Sequence, residues 1–357
     1  MIKRVGIIGS HGLYASYGGW DELVRNIAEQ KSKELEYIIF NSKETNVRKN
    51  LPENIKVIKI PLSASGFEGF FYDFISILLC YWRVNQVLFL GAQGVPLIIL
   101  LNFFFRHVNF IVNIGGVEWE RPKFNYFIKS YLKWCFNLSL KYSRCLILDN
   151  EHYNVYLPKG EAINSKIVVI PYGGTIDYSL DVNDGLLRKY EFLNDSYFLS
   201  VSRSLEDNKL DELCDSFVKM PEQKLVLISN FSKSSYGQLV LSTYGNIENI
   251  TLINGLYNKA ELDLIRRKCK AYIHTHTLCG TAPSLVEMIM AHRPIISVDV
   301  PQNRFTLENQ GLFYNSFQEL NDIIQSERDF ENYIPSTQLC EKYGWDLIVN
   351  KYEELYN

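Results

Sequence analysis

Short apolar runs alternate with helix-length segments along the whole chain. The runs are four to seven residues long and rich in β-branched and aromatic residues, which favours buried strands over helices. Because helical patterns separate them, we expect parallel sheets that are covered by helices. In chain order, the predicted strands are residues 4–9, 36–40, 56–60, 86–90, 109–114, 144–148, 166–170, 197–201, 224–228, 250–253, 271–274 and 294–298.

These strands fall into two series, which predicts two doubly wound α/β domains. A chain of 357 residues is also longer than a typical domain with a single hydrophobic core. The polar stretch 177–195 lacks strand character and is the expected linker. We therefore predict an N-terminal Rossmann-like domain over residues 1–178 and a C-terminal one over 179–337.

The last twenty residues, 338–357, carry apolar side chains at helical spacing. An amphipathic helix here packs either on its own domain or back on the first domain, and the pattern alone favours neither. The residues with this spacing are Tyr343, Trp345, Ile348, Tyr352 and Leu355.

Composition indicates a folded protein with reduced thiols. The chain is 47% hydrophobic and 22% charged, and its seven cysteines form no CxxC pair, so we expect a cytoplasmic protein without a disulfide framework or a zinc site. The sequence opens with residues 1–4 (MIKR) and goes straight into a strand, so we expect no signal peptide. The apolar stretch 87–105 resembles a membrane span, but the glycines and proline within it favour a strand, a turn and a buried helix.

Charge is distributed unevenly. Residues 1–175 hold 20 Lys and Arg against 14 Asp and Glu, a net of +6, and the remainder has a net charge of −9. With a pI of about 6.1 and no dense basic run, nucleic acid is an unsuitable partner, and an anionic membrane surface or phosphorylated lipid fits better. The predicted helix 124–140 interleaves lysines with aromatic residues, which suits anionic headgroups or, alternatively, a core-facing stripe with a solvated lysine face.

The turn after the predicted strand 271–274 has the composition of a phosphate site. Gly280 and Thr281 lie in the turn, Pro283 stands at the expected first helical position, and Ser284 follows it. Backbone amides at such a helix N-terminus, together with the helix dipole, bind phosphate well.

Four further side chains are candidates for the same sugar-nucleotide site. Glu287, one turn into the same helix, is placed to reach sugar hydroxyls. Arg203, just after strand 197–201, is placed to stabilise a diphosphate, and Lys209 either assists it or lies on the surface. Tyr257 lies beside a nucleobase or packs in its loop. His274 and His276 alternate at a strand end, so we expect their side chains to face opposite sides and to share no metal.

The first strand and its loop contain Gly6, Gly9 and Gly12, which imitate a dinucleotide-binding fingerprint. The expected acidic residue after the second strand is replaced by Asn41, which argues against NAD. The helix begins late, after Gly18 and Gly19, and these glycines either approach a phosphate closely or only make turns.

Residues after the fifth strand suggest an acceptor platform. Glu118, Trp119 and Arg121 follow two glycines at the same sheet edge. A carboxylate and an indole there suit a sugar acceptor, although Trp119 is also a candidate core anchor and Glu118 a candidate salt-bridge partner.

Together these motifs resemble the retaining GT-B glycosyltransferases of family 4, and most of all the bacterial rhamnosyltransferases of capsule and O-antigen assembly. The resemblance runs nearly end to end. Its most specific parts are 17–22 (YGGWDE), 116–119 (GVEW) with Arg121, 170–173 (IPYG), 280–287 (GTAPSLVE) and the C-terminal Tyr343, Trp345 and Tyr352.

The resemblance implies two Rossmann-like domains facing across a cleft, with a C-terminal helix that crosses back to the first domain. It places the donor phosphates near Gly18, Gly19, Arg203 and the amides of Gly280 and Thr281. It also assigns Glu287 to the nucleotide ribose instead of the transferred sugar. The implied reaction moves L-rhamnose from dTDP-L-rhamnose, or alternatively a sugar from a UDP-sugar, onto a lipid-linked glycan at the inner face of the cytoplasmic membrane, without a metal.

Three positions depart from the family pattern. Cys279 replaces the second glutamate that often precedes the helix glutamate by eight residues. Asp207 and Asn208 replace the usual Glu-Lys pair, with Lys209 one place late, and Gly115 replaces an acidic residue common in the rhamnosyltransferases. Two other functions remain open: an NAD-dependent oxidoreductase, and a nucleotide-sugar-binding subunit without activity.

Overall fold

The computed structural model describes residues 3–15, 18–30, 34–46, 50–120, 124–158, 163–326 and 328–357. Arg121 and Tyr17, both named above, lie outside these described residues. The chain forms two compact units, Met1–Tyr172 with Trp345–Asn357, and Gly173–Gly344.

The first unit is a seven-stranded parallel sheet in the order β3-β2-β1-β4-β5-β6-β7. Its strands are β1 (Lys3–Ile8), β2 (Leu35–Asn41), β3 (Ile55–Lys59), β4 (Gln86–Leu90), β5 (Asn109–Asn113), β6 (Cys145–Leu148) and β7 (Lys166–Val169). Its helices are α1 (Gly19–Gln30), α2 (Gly66–Tyr81), α3 (Val95–Phe104), α4 (Tyr126–Tyr142) and, from the end of the chain, α13 (Trp345–Glu354).

The sheet of the first unit separates two apolar layers. Side chains alternate along each strand, so Ile8 and Phe89 lie in one layer while Ile7 and Leu88 lie in the other. Helices α2, α3 and α4 cover the first layer, and α1 and α13 cover the second.

Polar contacts fix α13 to the first unit. The Asn113 side chain at the end of β5 donates to the Tyr352 hydroxyl (2.6 Å), and Gln86 of β4 donates to the Tyr356 carbonyl (2.7 Å). Ile348, Tyr352 and Tyr356 are fully buried in the second apolar layer. The end of the chain is therefore an integral helix of the first unit.

The second unit is a six-stranded parallel sheet in the order β10-β9-β8-β11-β12-β13. Its strands are β8 (Phe198–Val201), β9 (Leu225–Ser229), β10 (Ile250–Asn254), β11 (Ala271–His274), β12 (Ile295–Val298) and β13 (Leu312–Tyr314). Its helices are α5 (Asp184–Lys189), α6 (Leu210–Val218), α7 (Ser235–Tyr244), α8 (Lys259–Lys268), α9 (Pro283–Met290), α10 (Pro301–Leu307), α11 (Phe317–Gln325) and α12 (Thr337–Lys342).

The predicted fold of two doubly wound α/β units is confirmed. All twelve predicted strands are present, and within the described ranges the strand that the sequence missed is the three-residue edge strand β13. The expected linker, residues 177–195, instead contains α5 and packs in the second unit, where the Asp177 amide donates to the Asp263 carboxylate (2.8 Å).

The apolar stretch 87–105 forms most of β4, a turn and α3, as its glycines and proline predicted. The expectation that this helix is buried was wrong, because Leu100, Phe103 and Phe104 are more than half exposed. Among the described residues, none of the helices combines the length and the hydrophobicity required to cross a bilayer.

Candidate functional site

Each sheet has one position where the strand order reverses. In the first unit it lies between β1 and β4, and in the second between β8 and β11. Loops that leave neighbouring strands in opposite directions at such a point open a crevice at the carboxyl edge, where doubly wound folds bind ligands. In the second unit, Arg203 follows β8 and the glycine-containing turn follows β11.

The backbone around Arg203 is held by polar side chains. Its carbonyl accepts from the Asn208 side chain (2.9 Å) and from the Leu205 amide (2.8 Å). The next amide, that of Ser204, donates to Asn230 at the end of β9 (3.1 Å). The Arg203 side chain itself is exposed, and it makes no hydrogen bond or ion pair within the described part of the chain. A cation is thus presented to solvent from a fixed backbone.

The turn after β11 is attached to the loop that carries Arg203. The Thr275 hydroxyl donates to the Asn208 carbonyl (2.7 Å), which joins the two loops directly. From the other side, buried Asn303 of α10 donates to the His276 carbonyl (3.1 Å). The structure therefore brings the two sequence-predicted phosphate contacts to one switch point.

Helix α9 begins as the sequence predicted, with Pro283 in its first turn. The N-cap residue is Ala282, which has no side-chain oxygen to accept from the first amides of the helix. Gly280 and Thr281 are buried just before it, and Ser284 is partly buried in the first turn. This N-terminus offers backbone donors and the positive end of a helix dipole to an anion.

Glu287 lies one turn into α9 and belongs to a buried ionic network. Its carboxylate accepts a hydrogen bond from the guanidinium of Arg266 in α8. Arg266 also donates to Asp263 (2.6 Å), which in turn accepts from Lys259 (2.8 Å). The Glu287 side chain is 22% exposed, so it is reachable from solvent although Arg266 and Asp263 are not.

The electrostatics keep this network charged. Burial acts to lower the pKa of Arg266, but the carboxylates of Glu287 and Asp263 outweigh burial and raise it above its ordinary value. Sequence analysis missed Arg266, because it lies within the run Arg266-Arg267-Lys268 and nothing in the sequence separates a buried arginine from a solvated one.

Lys209 and Tyr257 have less specific positions. Lys209 adopts a left-handed backbone conformation (φ 51°), and its ammonium pairs with Glu212 (3.1 Å), which matches the alternative of a surface residue. Tyr257 follows the edge strand β10 and is 64% exposed, with the Lys233 ammonium 5.8 Å from its ring centre. Strands β9 and β8 lie between β10 and the switch point.

The expectation that His274 and His276 face opposite sides was wrong. Their ring centres lie 4.5 Å apart. Strand β11 ends at His274, so the strand alternation no longer governs the residues after it. The Cys279 thiol lies 3.8 Å from the Nδ1 atom of His276. Within the described ranges there is no group of three or more His, Cys, Asp or Glu side chains arranged to hold a metal ion.

In the first unit, Gly18 and Gly19 precede and open α1. The amide of Gly18 donates to buried Asp21 (3.2 Å), and the amide of His11 donates to the same carboxylate (2.8 Å). The Gly18 amide, which was expected to contact a phosphate, therefore already donates its hydrogen bond to Asp21. A Cβ atom on Gly18 would meet no atom of the described residues within 4 Å.

The loop after β1 contacts the loop after β5. Gly115 has a positive φ of 62°, and a Cβ atom there would lie 2.4 Å from the indole of Trp20. This close approach brings Trp20 of the first motif against the glycines that precede Glu118. Glu118 is partly exposed at the start of a short 3₁₀ turn.

Trp119 lies in the core. It is 8% exposed, and its ring centre is 4.8 Å from that of Phe136 in α4. This buried position fits the alternative role of Trp119 as a core anchor.

The three glycines that imitate a dinucleotide-binding fingerprint do not form one in the structure. Helix α1 begins at Gly19, well after Gly12. A Cβ atom on Gly12 would lie 2.3 Å from the Asn41 side chain, which also accepts from the Leu13 amide (2.8 Å). Asn41 thus fixes the loop after β1 at the place where a dinucleotide site needs a carboxylate for the ribose.

Comparison with known proteins found a match in sequence and matches in structure. A family model described as a domain of unknown function (DUF1972) matches residues 2–175. No curated protein sequence matches the chain.

Solved structures match the chain over almost its whole length. Sucrose-phosphate synthase from Thermosynechococcus elongatus has a TM-score of 0.80 at 15% identity, with 99% of this chain and 98% of that chain covered. HepE of Anabaena in complex with UDP-glucose has a TM-score of 0.74 at 12% identity, with 99% of both chains covered. Trehalose-6-phosphate synthase OtsA has a TM-score of 0.73 at 12% identity, with 99% and 98% covered. The chain therefore has the GT-B fold of two Rossmann-like domains.

Proposed function

We propose that this protein is a glycosyltransferase that takes its sugar from a nucleotide diphosphate donor. The observation that carries the proposal is the pairing of an exposed arginine with an uncapped helix N-terminus at one switch point. Arg203 follows β8, and α9 begins after the adjacent strand β11. A guanidinium and a set of backbone amides are the groups that bind a diphosphate.

In this proposal the second unit binds the donor. Arg203 and the amides of Gly280 and Thr281 contact the phosphates, and Ser284 lies beside them in the first turn of α9. Glu287 accepts hydrogen bonds from the ribose hydroxyls with one face of its carboxylate while Arg266 holds the other. Tyr257 contributes to the base region, and Lys209 contributes only a screened charge because Glu212 pairs with it.

The proposed chemistry depends on leaving-group stabilisation. As the bond from the sugar to the diphosphate breaks, negative charge grows on the phosphate oxygens, and Arg203 with the α9 amides stabilises it. The acceptor hydroxyl attacks the anomeric carbon from the same face and gives its proton to the departing diphosphate, so the new glycosidic bond retains the anomeric configuration. This course requires no side-chain nucleophile, and the first unit offers Glu118 at its carboxyl edge as an acceptor contact.

The finer assignments come from the family resemblance. We propose dTDP-L-rhamnose as the donor, with a UDP-sugar as the alternative, since HepE, a structural neighbour, binds UDP-glucose. The proposed acceptor is a lipid-linked glycan of bacterial O-antigen, lipopolysaccharide or capsule synthesis. The enzyme then works in the cytoplasm at the inner face of the cytoplasmic membrane. Gly18, Gly19, Trp119 and Arg121 stay predictions from the sequence, of which the burial of Trp119 favours the core role.

A donor panel tests the proposal. The purified protein is incubated with dTDP-L-rhamnose, UDP-glucose, other nucleotide sugars and NAD, and release of the nucleoside diphosphate is measured. We expect hydrolysis of at least one nucleotide sugar and no reaction with NAD. Binding of a nucleotide sugar without any turnover, even with lipid extracts as acceptor, would instead favour the inactive binding subunit. NMR of the product then tests retention.

A further inference from the structure

Helices α2, α3 and α4 expose an unusual number of aromatic side chains on one side of the first unit. All three pack their inner residues against the same face of the sheet, so their outer residues share one surface. We call this surface the aromatic face and define it by Phe67, Phe70, Phe103, Phe104, Phe127 and Trp134, which are 83%, 54%, 80%, 65%, 81% and 50% exposed.

The aromatic face is continuous across the three helices. The ring centres of Phe70 in α2 and Tyr131 in α4 are 6.5 Å apart. At the other end of α2, Trp82 lies 5.5 Å from Phe105, which follows α3. Contacts of this kind place the exposed rings side by side instead of scattering them over the surface.

Helix α3 shows the departure from a normal surface helix most clearly. Residues 95–104 contain no charged side chain, whereas a surface helix normally carries polar residues on its outer side. Ile98 packs inward, but Leu100, Phe103 and Phe104 are more than half exposed. The one polar side chain of α3, that of Asn102, is hydrogen-bonded to the backbone of Val108. The exposed side of the helix is therefore apolar and requires an apolar surrounding.

The exposed aromatic area is as large as the largest apolar patch of an ordinary monomer. A phenylalanine side chain offers about 200 Å², so Phe67, Phe103 and Phe127 together present on the order of 500 Å². The largest apolar patch on a typical monomer is about 300–600 Å² in total. Since three side chains reach this range, the whole aromatic face marks an interaction surface.

The charge around the aromatic face is positive. Helix α4 carries Lys129, Lys133 and Lys141 and contains no acidic residue. The two acidic residues of α2 are engaged, since Glu68 pairs with Lys43 (2.7 Å) and Asp73 accepts from Gln93 (3.1 Å). Aromatic side chains with a basic rim match the boundary between anionic headgroups and acyl chains.

We propose that the aromatic face docks on an anionic phospholipid bilayer, with Phe103, Phe104 and Phe127 inserted below the headgroups and Lys129 and Lys133 on the phosphates. A second copy of the chain fits less well. A two-fold contact repeats the same surface on both partners, and it would bring α4 lysines towards their counterparts. The exposed aromatic side chains are observed independently of the proposed function. Only the purpose of docking, which is access to a lipid-linked acceptor, rests on that proposed function.

Vesicle sedimentation tests the inference. The full chain is mixed with vesicles of phosphatidylcholine, with and without phosphatidylglycerol. We expect sedimentation with the phosphatidylglycerol vesicles, at least tenfold weaker with phosphatidylcholine alone and weaker at high salt, because salt screens the lysines. The double variant Phe103→Ser/Phe104→Ser should lose binding about tenfold or more, and Phe127→Ser, on another helix, should weaken it as well.

Matched controls separate this surface from general effects. Leu239→Ser removes an apolar side chain that is 62% exposed in the second unit, and it should leave vesicle binding unchanged. Circular dichroism confirms folding, and light scattering reports the oligomeric state.

Equal losses of vesicle binding for Leu239→Ser and the Phe103/Phe104 variant would overturn the inference, as would absence of sedimentation. A dimer that becomes a monomer in the variant, without vesicle binding, would overturn it in favour of a second copy. Donor binding by the same variants is measured separately, so that failure of the membrane inference can be distinguished from failure of the proposed function.

Discussion

The guanidinium of Arg266 donates a hydrogen bond to the carboxylate of Glu287. Arg266 is 3% exposed, whereas Glu287 is 22% exposed. A buried cation therefore holds a carboxylate that still reaches solvent. This arrangement fixes the orientation of Glu287 beside the N-terminus of α9, and it also makes the carboxylate part of the core electrostatics.

Replacing Glu287 should separate these two roles. We expect Glu287→Gln to weaken donor binding by about tenfold or more, because an amide is a poorer acceptor for two ribose hydroxyls. It should also lower the free energy of unfolding by about 1–3 kcal/mol, since Arg266 loses one charged hydrogen-bond partner and keeps Asp263. Calorimetric titration with donor and chemical denaturation measure the two effects.

Asp263→Asn is the matched control. It disturbs the other carboxylate of the same network, which accepts from Arg266 (2.6 Å) and Lys259 (2.8 Å). We expect a similar loss of stability with a smaller loss of donor affinity. If both variants reduce donor affinity equally, Glu287 acts only through the fold.

Arg203→Ala should affect binding alone. The Arg203 side chain is exposed, so we expect the free energy of unfolding to change by no more than about 0.5 kcal/mol. Loss of a charge-assisted contact to phosphate corresponds to about 1.5–3 kcal/mol, or roughly 10- to 100-fold weaker donor binding. Lys219→Ala, which removes another exposed cation of the second unit, serves as the control. An unchanged dissociation constant for Arg203→Ala would remove this residue from the donor site.

The glycine pair after β5 allows a sharp comparison. Gly115→Ala places a methyl group against Trp20 at a positive φ, and should lower the free energy of unfolding by about 1–3 kcal/mol. At Gly116 a Cβ atom would meet only the Tyr153 hydroxyl, at an ordinary 3.7 Å, so Gly116→Ala should have a small effect. Urea denaturation of both variants decides between them. Equal destabilisation would contradict the contact between the two loops.

His274 should make stability depend on pH. Burial, and after it the neighbouring His276, lowers the pKa of His274 well below its usual range. The unfolded chain, with an ordinary histidine pKa of about 6.5, then takes up a proton that the folded chain refuses. The stabilising contribution is complete above about pH 6.5 and is lost as the pH falls, by up to about 1.4 kcal/mol per pH unit.

Denaturation curves between pH 5 and 7.5 measure this slope. His274→Asn should flatten it, whereas His107→Asn, at an exposed histidine, should leave it unchanged. The comparison concerns slopes, because any substitution at a buried position also changes the absolute stability. Identical slopes in the wild type and His274→Asn would contradict the assignment.

The sequence predicted the strands well because buried parallel strands are short continuous apolar runs with clear boundaries. It missed β13, since three residues at a sheet edge leave too little pattern. It placed Arg203 and the N-terminus of α9 at one edge through topology alone, because the carboxyl ends of parallel strands meet there.

What the sequence missed depends on side-chain packing. The partner of Glu287 is twenty-one residues away in another helix, and no local pattern identifies it. The His274–His276 pair forms because strand geometry stops between them. The outward direction of Phe103 and Phe104 was also hidden, since an apolar helix looks the same in sequence whether its outer side is covered or exposed.

Calorimetric titration of the intact chain with nucleotide sugars and with NAD, with Arg203→Ala titrated in parallel, decides whether this protein binds a nucleotide-sugar donor. We expect that dTDP-L-rhamnose or a UDP-sugar binds, that NAD does not, and that Arg203→Ala weakens binding at least tenfold while folding normally. Binding of NAD with no response to any nucleotide sugar would contradict it.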